Sequence, residues 1–396
     1  MSACSERSPS PVAPARSGRL IAAALCALVL VVVGGCAGTS ATPDGASVHG
    51  RVSSTPSTPD DAHKVTAATE TYLSNIYSPA TANIRAVLVT VDRRPLVQFY
   101  RASTPMQTHD VHSVTKSVVG TLIGIALSEK KLHSLSDTLA TLLPEHRKEM
   151  GTAVASITLR QLLTMTAGLP ADPANGPPAS LSGPDWVAKT LRNGTVAPPG
   201  SVFAYSSAGS HLLSAVLTRA VGMSVLDYAR PRLFEPLGID TRNAFEPRTS
   251  GEEASAQYDR ADFAWPQDLT GIQFGFGGLK MAPRDLTKVG QLYLDGGRWD
   301  GRQVVPANWV KEATSTQVKT QGPGFAFSEG YGYQWWVTRE RGHHAYAAIG
   351  FGGQMVEVIP DMRLVLVTAA ETGDNNLRWE QLRGMVADAV LPAVGG

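Results

Sequence analysis

The sequence predicts a mixed α/β fold: one antiparallel sheet formed from both chain ends and flanked by helices, with a mainly helical lobe inserted between the two sets of strands. Three observations predict it. Residues 84–91 and 95–100 are rich in β-branched and aromatic side chains and are joined by a short polar turn, Asp92-Arg93-Arg94, which is a hairpin signal. Three similar runs, 345–349, 354–359 and 364–368, recur near the end, the last two separated by the turn Pro360-Asp361-Met362-Arg363. Between them, from about residue 132 to 283, the pattern changes to short helical pieces broken by Gly/Pro loops such as 170–184 and 197–200.

Taken in order, the chain opens with an address. Arg7, Arg16 and Arg19 precede an apolar run, 20–33, which is short for a membrane span and has the length of a signal-peptide core. The run ends Val33-Gly34-Gly35-Cys36, which resembles a bacterial lipobox: an aliphatic residue, two small ones, then a cysteine that is lipidated and becomes the first residue. An ordinary signal peptide cut nearby, or a short anchor, is the other reading. Cys4, Cys26 and Cys36 are the only cysteines, so a chain cut before Cys36 keeps one thiol, at its own terminus. Neither a disulfide framework nor a cysteine metal site is then expected. Residues 36–62, rich in Gly, Ser, Thr, Ala and Pro, read as a flexible tether. The expected organisation is a leader over 1–35, the tether, and one folded domain over 63–391 containing the helical lobe. That places the protein outside the cytoplasm, lipid-anchored to a bacterial membrane and facing the periplasm or exterior.

Within the domain, residues 63–77 read as an amphipathic helix and 376–390 as a closing helix, both covering the sheet. The 35 Lys and Arg nearly balance the 34 Asp and Glu, so the chain carries no electrostatic footprint for nucleic acid. No internal repeat is present. No cofactor or metal is implied: His-Glu-x-x-His is missing, and His109 with His112 reads as the approach to the next segment rather than as a metal pair. Gly-x-Ser-x-Gly is missing too, which argues against an α/β-hydrolase elbow.

That next segment carries the chemistry. Ser113-Val114-Thr115-Lys116 opens a strongly apolar helical stretch, 117–127. A serine and a lysine three residues apart at a helix start lie on one face, one turn apart, at the positive end of the helix dipole. This is the minimum equipment for an activated serine without histidine. A second Ser-x-x-Lys, Ser128 to Lys131, lies at the polar end of the same helix and reads as a solvated terminus. An ordinary lysine, with a pKa near ~10.4, is protonated at neutral pH and cannot accept a proton. It must be depressed by burial, or share the proton with a second group. Tyr205, in Tyr205-Ser206-Ser207 ahead of an apolar helix over 211–221, is the best candidate for that partner; a core tyrosine is the alternative. Gly350-Phe351-Gly352-Gly353, between two predicted strands, could bring a backbone amide beside Ser113 as an oxyanion site, or be a plain glycine turn.

With these residues in view, the chain resembles the serine β-lactamase and penicillin-binding-protein superfamily, in its class C-like branch of esterases, D-aminopeptidases and 6-aminohexanoate-dimer hydrolases. The resemblance runs from about residue 63 to 391. Besides the Ser-x-x-Lys it is carried by Ile157-Thr158-Leu159-Arg160-Gln161-Leu162-Leu163-Thr164-Met165-Thr166-Ala167-Gly168-Leu169-Pro170, Phe234-Glu235-Pro236-Leu237-Gly238-Ile239, Gly277-Gly278-Leu279, Pro283-Arg284-Asp285-Leu286 and Tyr331-Gly332-Tyr333-Gln334-Trp335-Trp336, in the branch's order. It implies a β-lactamase/transpeptidase-like fold, Ser113 as acylated nucleophile, Lys116 as its base and Tyr205 as proton relay. It further implies the Ser113 and Phe351 N–H groups as oxyanion hole, Gly350 and Ser207 as substrate-binding, and a small ester, amide or peptide-like substrate.

Two departures bear on specificity. The branch often has Tyr-x-Asn where this chain has Ser207 third. The third motif opens with Lys or His two residues before a Gly, whereas here Ala348-Ile349-Gly350, or Phe351-Gly352-Gly353 if shifted, opens apolar. That cation normally helps to hold a carboxylate, so a neutral ester or amide is favoured over a β-lactam or a D-alanine terminus. His343 and His344 could substitute for it, although a solvated loop is the simpler reading. Trp335 and Trp336 could line a pocket or fill the core. A cell-wall DD-peptidase or β-lactamase is the competing enzyme reading, and a non-catalytic binding lipoprotein the competing reading of another class. The oligomeric state is not legible.

Overall fold

The computed structural model describes residues 59–75, 83–173, 178–248, 252–320, 325–373 and 379–395. Cys36, the leader and nearly all of the tether lie outside them. The first helix, α1 (Pro59–Asn75), starts four residues before the sequence-based expectation, with proline at the helix start where its missing N–H costs nothing.

The expected antiparallel sheet is present and seven-stranded, in the order β2-β1-β11-β10-β9-β8-β7. Its strands are β1 (Ile84–Val91), β2 (Arg94–Tyr100), β7 (Gly330–Tyr331), β8 (Trp336–Glu340), β9 (His343–Gly350), β10 (Gln354–Ile359) and β11 (Leu364–Ala370). Four two-residue strands pair off the sheet: β3 (His109–Asp110) with β4 (Lys280–Met281), and β5 (Arg298–Trp299) with β6 (Arg302–Gln303). The two chain ends meet where β1 pairs with β11, for example Val87 opposite Thr368 and Val89 opposite Leu366. The β1–β2 turn is tighter than expected: Arg94 joins the strand opposite Val91, and Asp92 and Arg93 take positive φ of 47° and 63°. That is the geometry of a two-residue hairpin turn matching the strand twist.

Strand periodicity divides the core into two faces. Val356, Val358, Val365 and Val367 point into the larger cluster with the helical lobe, while Met355, Ile359, Leu364 and Leu366 point to the α1 side. The α1 side is closed by Trp379–Met385 and Leu391–Gly395, joined by a π-type turn at Val386–Val390. On the other face lies α2 (Val114–Ser128), buried continuously from Val114 to Ala126. A helix apolar all round belongs inside a fold, and this one crosses the junction of sheet and lobe. The lobe's helices that matter for the site are α3 (Leu159–Leu163), α4 (Trp186–Asn193) and α5 (Ser207–Val221).

Candidate active site

Ser113 is positioned by the way the chain enters α2. Val111 N–H donates to the Leu279 carbonyl, extending the β3–β4 pairing. His112 then turns at φ 47°, its N–H held by Asp110 Oδ1 at 2.7 Å. A non-glycine residue in the left-handed region is a local cost retained where the surroundings enforce it, often beside functional groups. Ser113 follows as the N-cap of α2, yet its side chain makes no capping bond. A capping serine normally accepts an N–H from the first turn. Here Ser113 Oγ instead accepts from Lys116 Nζ at 2.9 Å.

Lys116 is 1% exposed, and its amine has three partners: Ser113 Oγ, Ser207 Oγ at 3.0 Å and the Phe276 carbonyl at 3.1 Å. Burial is the main cause that pushes its pKa down to about 7, with the Asp172 carboxylate pulling the other way. The amine also lies 4.8 Å from the centre of the Tyr205 ring. It therefore faces the ring of Tyr205, and none of its three acceptors is the tyrosine hydroxyl. Tyr205 stacks on Trp336 with ring centres 5.5 Å apart. Its phenol is pushed up, chiefly by burial, with the negative charge of Asp172 adding to the shift and the interaction with Ser113 opposing it. Tyr205 thus keeps its proton at neutral pH, and Lys116 is the group poised to lose one.

Ser207 lies deeper than its sequence-based role implies. It is buried, and its hydroxyl donates to Asp172 Oδ2 at 2.6 Å while accepting from Lys116. Its proton is thus engaged within the protein, while one acceptor lone pair of the hydroxyl is left for a further partner. Asp172 also accepts the Ser207 N–H at 2.7 Å through Oδ1, and its own N–H donates to the Tyr205 carbonyl at 2.8 Å. A carboxylate at the first turn of α5 suits the helix dipole.

The turn after β9 comes up beside Ser113. A Cβ on Gly350 would stand 2.4 Å from the Val111 carbonyl, so only glycine lets the strand end approach there. The Phe351 ring lies edge-on to His112 with centres 6.0 Å apart, and the side chain is 61% exposed. Among the described residues, neither the Ser113 nor the Phe351 N–H donates to a protein acceptor. Gly350 is the glycine of the reading Ala348-Ile349-Gly350, and Ala348 is buried in the main core. His343 and His344 stand at the opposite end of β9, seven and six residues from Gly350, with His343 paired to Asp361 at 2.7 Å. At about 3.3 Å per residue that is roughly 20 Å away, too far to replace the missing cation.

Several supporting residues had no role assigned from the sequence. Gln334 ties three helices together: its amide donates to the Leu163 carbonyl at 2.9 Å, and its side-chain oxygen accepts from Ser210 at 2.9 Å. Its backbone carbonyl accepts from Ser117 at 2.6 Å. His211 and Asp268 form a fully buried pair at 3.1 Å. The segment leading from Asp268 to Phe276 packs on α5, where a Cβ on Gly275 would meet the Ser210 carbonyl at 2.1 Å. This close approach delivers the Phe276 carbonyl to Lys116. Both tryptophans are buried; Trp335 is core, whereas Trp336 backs Tyr205 within a cluster that Phe203, Phe325, Phe327 and Ile349 adjoin. Of the other motifs singled out, Ser128 Oγ bonds the Ile125 carbonyl and Lys131 is exposed, as a helix end requires. His109 lies in β3 opposite Met281 of β4, and no cluster of metal-ligating side chains occurs among the described residues.

Residues 84–390 match the Beta-lactamase family. The chain is 28% identical over 329 residues to the 6-aminohexanoate-dimer hydrolase of Paenarthrobacter ureafaciens, covering 76% of this chain and 77% of that protein. Among solved structures, a class C beta lactamase from Rhodobacter sphaeroides superposes with a TM-score of 0.59 at 20% identity, over 82% of this chain and 98% of that one. EstCE1, a hydrolase with promiscuous acyltransferase activity, superposes with a TM-score of 0.62 at 18% identity, over 83% and 98% of the two chains.

Proposed function

The chain belongs to the Beta-lactamase family, and from that premise we propose that it is a serine hydrolase that forms an acyl-enzyme on Ser113 and acts on a small neutral ester or amide. The observation that carries this reading is the 2.9 Å contact between Ser113 Oγ and a buried Lys116 amine whose pKa lies near neutrality. A binding protein needs a serine of no particular reactivity, so this pairing speaks against the non-catalytic reading.

In the proposed reaction, neutral Lys116 takes the Ser113 proton as Oγ attacks the substrate carbonyl. The oxyanion accepts the Ser113 and Phe351 N–H groups. As the carbon–leaving-group bond breaks, the leaving oxygen or nitrogen receives a proton through the Tyr205 hydroxyl, which is replenished from the Lys116 ammonium. Water then adds to the acyl ester and gives its proton to Lys116, which returns one to Ser113 as the acid departs. Removing one oxyanion donor typically costs about 10²–10³ in rate.

Preference for a neutral substrate is supported by the apolar opening of the third motif. Ala348 offers no charge, and a carboxylate buried without a cationic partner is expensive. The aromatic side chains beside Tyr205 point the same way. We also read Cys36 as the lipid-bearing residue that anchors the domain to a bacterial membrane, facing the periplasm or the cell exterior. The test of the enzyme reading is turnover of p-nitrophenyl acyl esters by the full-length protein in detergent, with intact mass after a fluorophosphonate. Ser113→Ala should abolish both turnover and added mass while the protein stays folded; wild-type turnover by that variant refutes the assignment.

A further inference from the structure

The amine of Lys116 meets three oxygens, and the chemistry of each decides what the amine must present to it. A neutral amine has two N–H bonds and one lone pair. The Phe276 carbonyl can only accept, so it takes one N–H. A serine hydroxyl can donate or accept, so Ser207 alone leaves the second direction undetermined. Asp172 removes that ambiguity. An ionised carboxylate accepts only, and Asp172 Oδ2 stands 2.6 Å from Ser207 Oγ, so the Ser207 proton is committed to Asp172. Ser207 must then accept the second N–H of Lys116, across 3.0 Å. In the neutral amine the one direction left is its lone pair, which then faces Ser113 Oγ across the 2.9 Å contact where the ammonium form donates.

We propose that Asp172 is a positioning residue which, by fixing the proton of Ser207, aims the Lys116 lone pair at Ser113. The inference rests on the reading of Lys116 as base to Ser113. Asp172 is itself firmly held, with Oδ1 anchored by the Ser207 N–H and its backbone by the Tyr205 carbonyl. The titratable groups that sense its charge are Lys116 from α2 and Tyr205 on the approach to α5; His211, one turn further along α5 than Ser207, is paired with Asp268. If the Asp172 carboxylate were lost, the Ser207 proton would be free to turn to the Lys116 lone pair, and a base so engaged cannot take the Ser113 proton.

The test is a cycle of Asp172→Asn, Ser207→Ala and their combination in the full-length protein, read as kcat and KM on p-nitrophenyl acetate. Asp172→Asn keeps an oxygen for the Ser207 N–H but presents an N–H₂ to Ser207 Oγ, which reverses the hydroxyl. It should lower kcat by roughly 10²-fold, within the usual worth of a general base, with KM little changed. Ser207→Ala removes the hydroxyl that would compete for the lone pair, so the double variant should be more active than Asp172→Asn alone. A purely structural role for Asp172 predicts the opposite ordering. Asp172→Glu keeps an acceptor-only group and should retain at least tenfold more kcat than Asp172→Asn. The inference is overturned if Asp172→Asn stays within threefold of wild type, if the double variant is no better than Asp172→Asn, or if Asp172→Glu is no better than Asp172→Asn. Fluorophosphonate labelling separates the base from its positioning: a wild type not labelled at Ser113 overturns the base reading along with this one, whereas labelling at Ser113 with the wrong ordering overturns this one alone.

Discussion

Replacing Lys116 by arginine isolates proton acceptance from charge. In the folded protein the amine is pushed down to about 7, mainly by burial. At pH 7 about half of it is then the free base, against roughly 4 × 10⁻⁴ for an ordinary lysine with a pKa near 10.4. The site therefore raises the supply of base by about 10³-fold, equivalent to between 4 and 5 kcal/mol at about 1.36 kcal/mol per pH unit. Arginine does not deprotonate in proteins, so Lys116→Arg keeps a cation beside Ser113 and removes the base entirely. Its kcat/KM should fall by about 10³-fold, within the range ascribed to general acid–base catalysis, and match Lys116→Ala within a few-fold. In the wild type, kcat/KM should fall about tenfold per pH unit below about 7, because the protonated amine is inactive and the neutral amine is the reactive form. The assay is p-nitrophenyl acetate hydrolysis from pH 5 to 9, with Ser113→Ala subtracted as background and thermal melting as the check on folding. A folded Lys116→Arg variant retaining a tenth of wild-type activity, or a wild-type profile flat down to pH 5, would refute the reasoning.

Three further outcomes follow from the same structure. A chromogenic cephalosporin should be turned over at least 100-fold less efficiently than the best neutral ester, because Ala348 provides no cation for its carboxylate; comparable kcat/KM values would contradict that account. Cys36→Ser should shift the protein from the membrane fraction to a soluble or uncleaved form on immunoblots, and a processed variant that remains membrane-bound rules out the lipid anchor. The third concerns Glu357, fully buried on β10 and pushed up to about 8 by burial and then by the nearby charge of Glu340, with Arg383 opposing. A folded-state pKa above the unfolded value near ~4.3 gives stability that is complete below that value and lost as pH rises through about 8. Glu357→Gln should therefore raise the melting temperature at pH 9 by several degrees and change it little at pH 5; equal effects at both pH values would show that ionisation of Glu357 is not involved.

Much of the fold is legible in the sequence because its strands announce themselves locally. β1, β10 and β11 are rich in β-branched and aliphatic residues, and turns at Asp92-Arg93 and Pro360–Met362 punctuate them. What the sequence conceals are β7 and β8. Gly330–Tyr331 is too short for a period, and the Trp336–Glu340 strand follows a tight turn at Gln334, φ 63°, inside a motif of aromatics and glycine. The backbone there is set by side-chain bonds from Ser210 and to Leu163, which come from elsewhere in the chain. The start of α1 at Pro59 is likewise hidden by a composition that reads as tether up to residue 62.

The same division runs through the site. Ser113 and Lys116 are legible together because one helical turn fixes their separation, whatever the rest of the chain does. Tyr205 and the glycine turn at Gly350 are legible only as residue types suited to a relay and a close backbone approach. Asp172 is not legible at all. It is one acid between Ala171 and Pro173, in a loop without periodicity, and its partner Ser207 lies 35 residues away. It fixes where the Ser207 proton goes nonetheless. A hydroxyl in isolation is donor and acceptor at once, so the Tyr205-Ser206-Ser207 sequence fits a substrate contact as well as an internal relay. The direction of the internal bonds is fixed by the neighbour that accepts the proton, and only a tertiary contact supplies that neighbour. Where a site depends on the direction of a hydrogen bond, residue type sets the possibilities, and the folded arrangement of acceptor-only groups, here Asp172 and the Phe276 carbonyl, selects among them.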